Sequence, residues 1–449
     1  MWENERKKTF NRNATIFLLL IIVVIGLLVA MSAVKKQVKA EDEQLKAQSS
    51  SQRQALSAER QENLEFVQQA YDKDMQTVQS YLPGIVCWGD SLTAGSAGNV
   101  SYPHTLQNYI DTYLCEIYEL YSTLDNARDY SWVDWSKYTV SIPVVNMGSG
   151  REDCATVLGR SGVLPYVLDK TLEIPGGMEP VAIALRSSNG NAVTPLTAGS
   201  IGVNPVSIGG VQGTLTLVPG AGGNTYRFTR AEAGDPVSVE AGTQIITAAA
   251  QEYRDYVHIV WVGTYENYES PESLVASVKQ LLSRQAQNPD RYLVLGPCTV
   301  NGSWDGATAS TMDAIDLAMM QEFGDRYINV RKYLMSDGMS AIGLTVAQMA
   351  NSMTEAGLAA FQEEMALVGE GTVPTSFRSN GTDADLNGSA YNLIGKLVYR
   401  RMESLGYFDE VRQELGLDET TLEILKTDPK YFENMLNAKY FDGKEGESK

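Results

Sequence analysis

The chain has 449 residues, room for two or three domains, and its 43% hydrophobic and 20% charged residues place it with globular proteins rather than disordered or collagen-like ones. A net charge of -19 argues against a nucleic-acid partner, because neutralising phosphates needs a basic surface. Four cysteines (Cys87, Cys115, Cys154, Cys298) without a C-x-x-C pair exclude a zinc ribbon and a dense disulfide scaffold and leave one or two bridges open.

Residues 1–13 carry Arg6, Lys7, Lys8 and Arg12, and no charge follows until Lys35. The run Ala14–Val34 spans about 30 Å as a helix, enough to cross a bilayer. Positive charge upstream predicts a single-pass anchor at the cell membrane, with residues 1–13 cytoplasmic and the bulk of the chain extracytoplasmic. The small residues Ala30-Met31-Ser32-Ala33 offer a cleaved signal peptide as the alternative. The apolar run is longer than a usual signal core, which favours the uncleaved anchor. Residues 35–82 are polar and free of Gly and Pro, with apolar positions at Leu64, Val67, Tyr71, Met75, Val78 and Leu82 in helical spacing. A helical stalk is expected, jointed at Ser49-Ser50-Ser51. It serves as a solvated spacer or, alternatively, as the contact of a homo-oligomer.

Residues 83–408 read as an α/β domain. Ile85-Val86-Cys87-Trp88 is a buried strand that stops at the turn Gly89-Asp90-Ser91. A helix from Tyr102 to about Leu124 follows. Val140–Val145 is a second strand, ending at Asn146-Met147-Gly148, and a helix carrying Arg160 begins near Thr156. Residues 172–248 change character to Val, Thr, Gly, Pro and Ser with turn dipeptides, and predict an all-β insertion that caps or flanks a cleft. Strand–helix units resume at Tyr256–Val262, Pro271 to about Gln287, Tyr292–Leu295, Thr311–Phe323, Tyr327–Val330 and Gly388 to about Leu405. That alternation predicts a parallel sheet covered by helices on both faces. Residues 409–449 form a charged tail.

Four of these strand-end turns resemble, in order, the blocks of the SGNH (GDSL-like) hydrolase family. Gly89-Asp90-Ser91-Leu92-Thr93 matches the block that holds the nucleophile. Asn146-x-Gly148 resembles the second block, Gly263-Thr264-Tyr265-Glu266-Asn267 stands at the third, and Asp383-Ala384-Asp385-Leu386-Asn387 with Tyr391 at the last. The resemblance covers roughly residues 80–170 and 250–405. It implies a three-layer α/β/α, flavodoxin-like domain and a serine esterase or deacylase acting on O-acyl groups of carbohydrate. Ser91 would be the nucleophile. The Ser91 amide, Gly148 and Asn267 would hold the oxyanion, and Asp90, Asn146, Arg160 and Tyr265 would face the substrate, Arg160 towards an anionic or sugar group. The family's histidine falls at Asp385 and its aspartate at Thr382, beside Asp383. The third block has Tyr265 where the asparagine belongs, with Asn267 two residues late.

A serine nucleophile needs a base that accepts its proton near neutral pH. Only two histidines are present. His258 lies in an apolar strand and reads as core. His104 opens a helix and could reach the rim of the cleft. Asp383 or Asp385 is left as a stand-in, effective where burial raises its pKa. The readings are a membrane-anchored esterase, or a catalytically impaired domain that binds glycans or scaffolds proteins at the cell surface. No metal-ligand spacing is present, and no cofactor is expected.

Overall fold

The computed structural model describes residues 2–95, 100–111, 130, 132–138, 140–220, 223–266, 270–284, 289–304, 308–344, 354–379 and 385–415. The chain divides into two compact units, residues 1–70 with 124–138, and residues 71–123 with 139–449.

The first unit is built on the long helix α1 (Trp2–Tyr81), whose last turns belong to the second. Its apolar stretch is exposed along its whole length and is long and apolar enough to cross a membrane. No joint forms at Ser49-Ser50-Ser51. Serine costs a helix only a few tenths of a kcal/mol, and Ser50 Oγ donates back to the Ala47 carbonyl at 2.9 Å. Lys46–Asp42 at 2.7 Å and Gln61–Glu65 at 3.2 Å support the same helix at i,i+4 spacing. Further along, Asn63 and Val67 are buried, and the Arg60 guanidinium lies 5.2 Å over the Trp132 ring.

The second unit opens with Val78 and Leu82 buried at the end of α1. Strands β1 (Ile85–Gly89) and β2 (Val144–Gly148) pair in parallel, Ile85 with Val144 through Gly89 with Gly148. β2 starts later than the sequence suggests because Pro143 has no N–H to give a ladder; its carbonyl accepts from Ile85 N at 2.8 Å instead. The insertion carries nine short strands: β3 (Tyr166–Leu168), β4 (Leu172–Ile174), β5 (Val181–Ile183), β6 (Leu185–Ser187), β7 (Val206–Ile208), β8 (Val211–Val218), β9 (Thr225–Arg230), β10 (Val237–Val239) and β11 (Ile245–Ile246). It therefore begins at Tyr166 rather than Leu172. β3 pairs antiparallel with β6, and Tyr166, Val206, Leu215 and Phe228 share one core.

The parallel sheet then resumes with β12 (Val257–Trp261), β13 (Tyr292–Leu295) and β14 (Tyr327–Ile328). The spatial order is β2-β1-β12-β13-β14, every neighbour parallel. Counted along the chain this is 2-1-3-4-5, a doubly wound order whose direction reverses between β1 and β12. Short helices α2 (Ser91–Ala94) and α3 (Tyr102–Ile110) follow β1. After β2 comes α4 (Cys154–Arg160), and after the insertion come α5 (Ala248–Gln251), α6 (Pro271–Leu282) and α7 (Ala309–Phe323). On one face Val86, Trp88, Val260 and Val294 pack with α4, α6 and α7. On the other, the Tyr102 ring meets Trp261 edge-on at 5.5 Å, and helix Gly388–Ser404 lies against α3. That last approach needs Gly395, since a Cβ there would stand 2.6 Å from the Thr105 side chain.

The chain does not leave the domain at residue 409. Helix Asp409–Glu414 docks through buried Val411 and the Arg412–Glu403 pair. Residues 416–449 lie outside the described residues. Cys87, Cys154 and Cys298 are buried free thiols, and Cys115 is outside the described residues.

Candidate active site

The reversal between β1 and β12 is a switch point of the sheet, and open α/β sheets bind ligands at the carboxyl ends of the strands there. Ser91 stands there as the first residue of α2. The turn is made by Asp90, fully buried, whose Oδ1 accepts from Leu92 N at 3.0 Å as a helix cap. Its Oδ2 accepts from Thr264 N at 3.3 Å, so one side chain ties the end of β1 to the turn after β12. Burial pushes the Asp90 carboxyl up to about 7, against its two backbone hydrogen bonds and with a small contribution from the charge of Asp385. Asp90 thus positions the turn from a fully buried place.

The turn after β12 delivers Tyr265. Its phenol and the Ser91 hydroxyl are hydrogen-bonded at 3.0 Å. Burial raises the Tyr265 phenol above its usual value; the Ser91 bond lowers it, Asp385 and Asp90 add to the rise, and Arg151 opposes it. The phenol is therefore protonated at neutral pH and available as a donor. Asn267 and Asp383 both lie outside the described residues.

Asp385 precedes helix Gly388–Ser404. Its carbonyl accepts from Ser379 N at 3.0 Å, and its Oδ1 is buried with no hydrogen-bond partner among the described residues. The Tyr391 hydroxyl is likewise buried, raised first by burial and then by the charge of Asp385, against a hydrogen bond with the Leu386 backbone. A carboxylate oxygen removed from water without a donor is costly unless it has work to do.

The second turn differs from the expectation in its details. Gly148 is required by close approach, because a Cβ there would lie 2.0 Å from Ala94 N. Its amide already donates to Asn146 Oδ1 at 2.8 Å. Asn146 Nδ2 reaches the Ala94 carbonyl and Ser101 Oγ, both at 3.4 Å. Asn146 is thus a latch between β2 and the loop after Ser91, and it occupies the amide expected for the oxyanion. The amide of Ser91, in the first turn of α2, has no intrahelical acceptor.

Arg160 is not at the cleft. Its side chain is 0% exposed, its Nε donates to Glu152 at 2.7 Å, and its Nη2 donates to the carbonyls of Gly89 (3.0 Å) and Met147 (2.5 Å). It braces the ends of β1 and β2 from below. Neither histidine is a partner of Ser91. His258 is buried in β12, with Nε2 donating to the Tyr253 carbonyl at 2.9 Å, and burial lowers it to about 4. His104 is exposed in the first turn of α3.

Sequence reasoning passed over Arg151, Thr264 and Glu266. Arg151 has φ 57, a left-handed backbone that its side chain disfavours, and no motif announces it. Glu266 accepts from Cys154 N, joining the turn after β12 to the start of α4. Its place in the Gly-Thr-Tyr-Glu segment was the available signal. No group of three or more His, Cys, Asp or Glu able to hold a metal occurs among the described residues. No protein-family model, curated protein or solved structure matches the chain.

Proposed function

We propose that this chain is a membrane-anchored, extracytoplasmic SGNH-type hydrolase that removes O-acyl groups from carbohydrate through Ser91. The observation that carries the reading is the 3.0 Å hydrogen bond between Ser91 and Tyr265 at the switch point of the sheet. In this mechanism Ser91 Oγ attacks the acyl carbon while its proton passes to Asp385, whose Oδ1 is otherwise uncommitted. The protonated Tyr265 hydroxyl and the Ser91 amide donate to the oxyanion. The C–O bond to the sugar breaks, the alcohol takes the proton, and water then hydrolyses the acyl-serine by the same route.

A second reading follows from a specific observation. The expected imidazole is missing and the Gly148 amide is engaged by Asn146, which fits a domain that binds acylated glycan, or scaffolds proteins, without turning anything over. A fluorophosphonate probe applied to the detergent-solubilised full chain separates the two. Labelling that disappears in Ser91→Ala is the expected result. No labelling of a folded chain that still binds acylated glycan would establish the binding domain instead.

A further inference from the structure

We propose that Arg151 reads a negatively charged group on the molecule bound at Ser91, so that the acyl ester is carried on an acidic glycan bearing carboxylate or phosphate. This rests on the reading of the Ser91 turn as a substrate site. The position comes from the loops. Ser149 N donates to the Gly89 carbonyl at 3.1 Å, which sets the Gly148–Arg151 turn beside the Gly89–Ser91 turn. From the other side Glu266, next to Tyr265, holds Cys154 N three residues beyond Arg151. The insertion closes the same edge, since a Cβ on Gly150 would touch Ala198 at 3.5 Å.

Arg151 is exposed and adopts φ 57, a backbone that a glycine at this position would take without strain. Strain kept at a long cationic side chain beside that turn points to use of the side chain. The carboxylates next to it in the chain, and Glu266 across the turn, are committed elsewhere. Glu152 pairs with buried Arg160, Asp153 caps Thr156 N at 2.8 Å, and Glu266 accepts from Cys154 N. Among the described residues Arg151 therefore has no ion pair. In a chain of net charge -19, an anionic ligand needs such a local cation to approach at all. A guanidinium is also the group whose fork fits carboxylate and phosphate with two parallel hydrogen bonds. Its charge is felt at the reacting centre, where it opposes the rise of the Tyr265 phenol.

The test is calorimetric titration of the full chain in detergent with three probes: trigalacturonate, a glycerol-phosphate trimer, and neutral maltotriose. The unaltered chain should bind one acidic probe at least tenfold more tightly than maltotriose, and the probe that wins identifies the source of the charge. Arg151→Gln and Arg151→Gly should lose that preference, and Ser91→Ala should keep it. Arg151→Gly is the informative variant, because glycine adopts φ 57 freely and its unfolding midpoint should hold or rise. Equal binding of acidic and neutral probes, no binding of any, or a preference that survives Arg151→Gly would overturn the inference. Failure of Ser91 to react with the fluorophosphonate would overturn the hydrolase reading alone, since the titrations need no turnover.

Discussion

At the scale of single residues, the site turns on what replaces an imidazole. Tyr265 cannot be a general base near pH 7, because burial keeps its phenol protonated. Its value lies in donating. Removing one oxyanion donor costs about 10²–10³ in kcat, so Tyr265→Phe should lower kcat for 4-nitrophenyl acetate by that factor with KM little changed. A change confined to KM would assign Tyr265 to binding instead. Ser91 was legible in place, on the turn that ends β1; its role as nucleophile belongs to the proposal. Tyr265 was legible in place but not in role. The sequence shows a tyrosine where an asparagine is expected, and only the 3.0 Å contact shows that its hydroxyl reaches Ser91. Arg160 misled for a physical reason: an arginine at the end of a short helix reads as free to face a ligand or solvent, whereas two strand-end carbonyls and the Glu152 carboxylate hold this one wholly inside.

At the scale of elements, buried polar side chains tie the strands to the turns at their ends, and two of these titrate in opposite senses. Asp90 has its folded-state carboxyl raised to about 7 from 3.8. Its contribution is complete below pH 3.8 and is lost as pH rises through 7, at about 1.4 kcal/mol per pH unit in that window. His258 has its folded-state imidazole lowered to about 4 from 6.5. Its contribution is complete above pH 6.5 and is lost as pH falls through 4. Between pH 4 and 6.5 the two slopes oppose each other. Asp90→Asn should therefore unmask the histidine, with urea unfolding free energies that fall more steeply on acidification than those of the unaltered chain. The difference between the two curves should change by about 1.4 kcal/mol per pH unit between pH 4 and 7. A difference independent of pH would show that Asp90 is ionised throughout. The same turns give a second expectation. Gly148→Ala forces a Cβ against backbone at 2.0 Å, with no flexible side chain to give way. It should cost at least about 1–3 kcal/mol of stability, as overpacking does, read as a lower urea midpoint. The core strands were recoverable from their apolar runs. β2 was displaced by Pro143 and β3 was missed because a three-residue strand has too short a pattern to alternate.

At the scale of the whole molecule, the sequence carried the order of parts and not their edges. An apolar run free of charge, a stretch free of Gly and Pro, and a return of strand–helix alternation each leave a compositional mark, and each appears in the structure. The end of the domain left none, because Asp409–Glu414 is charged by composition. It docks by burying Val411 and by pairing Arg412 with Glu403 and Arg291 with Glu410. The proposed orientation rests on Arg6, Lys7, Lys8 and Arg12, opposed by Lys35, Lys36 and Lys39 across an uncharged run. Acidic residues weigh little in setting topology, so Glu41, Asp42 and Glu43 do not cancel the downstream lysines. Within about 15 residues of each end the count is four cations against four, because Lys46 joins the three downstream lysines, so the balance is even. Replacing Arg6, Lys7 and Lys8 by glutamine leaves one against four and should invert a large share of the chains. In sealed vesicles of known orientation, protease should reach the folded domain from the extracytoplasmic side in the unaltered chain and from the cytoplasmic side in the inverted share of the triple variant. Identical accessibility of the two would show that the flanking charges do not set the orientation, and a band shortened near Ala33 in both would show that the helix is a cleaved signal.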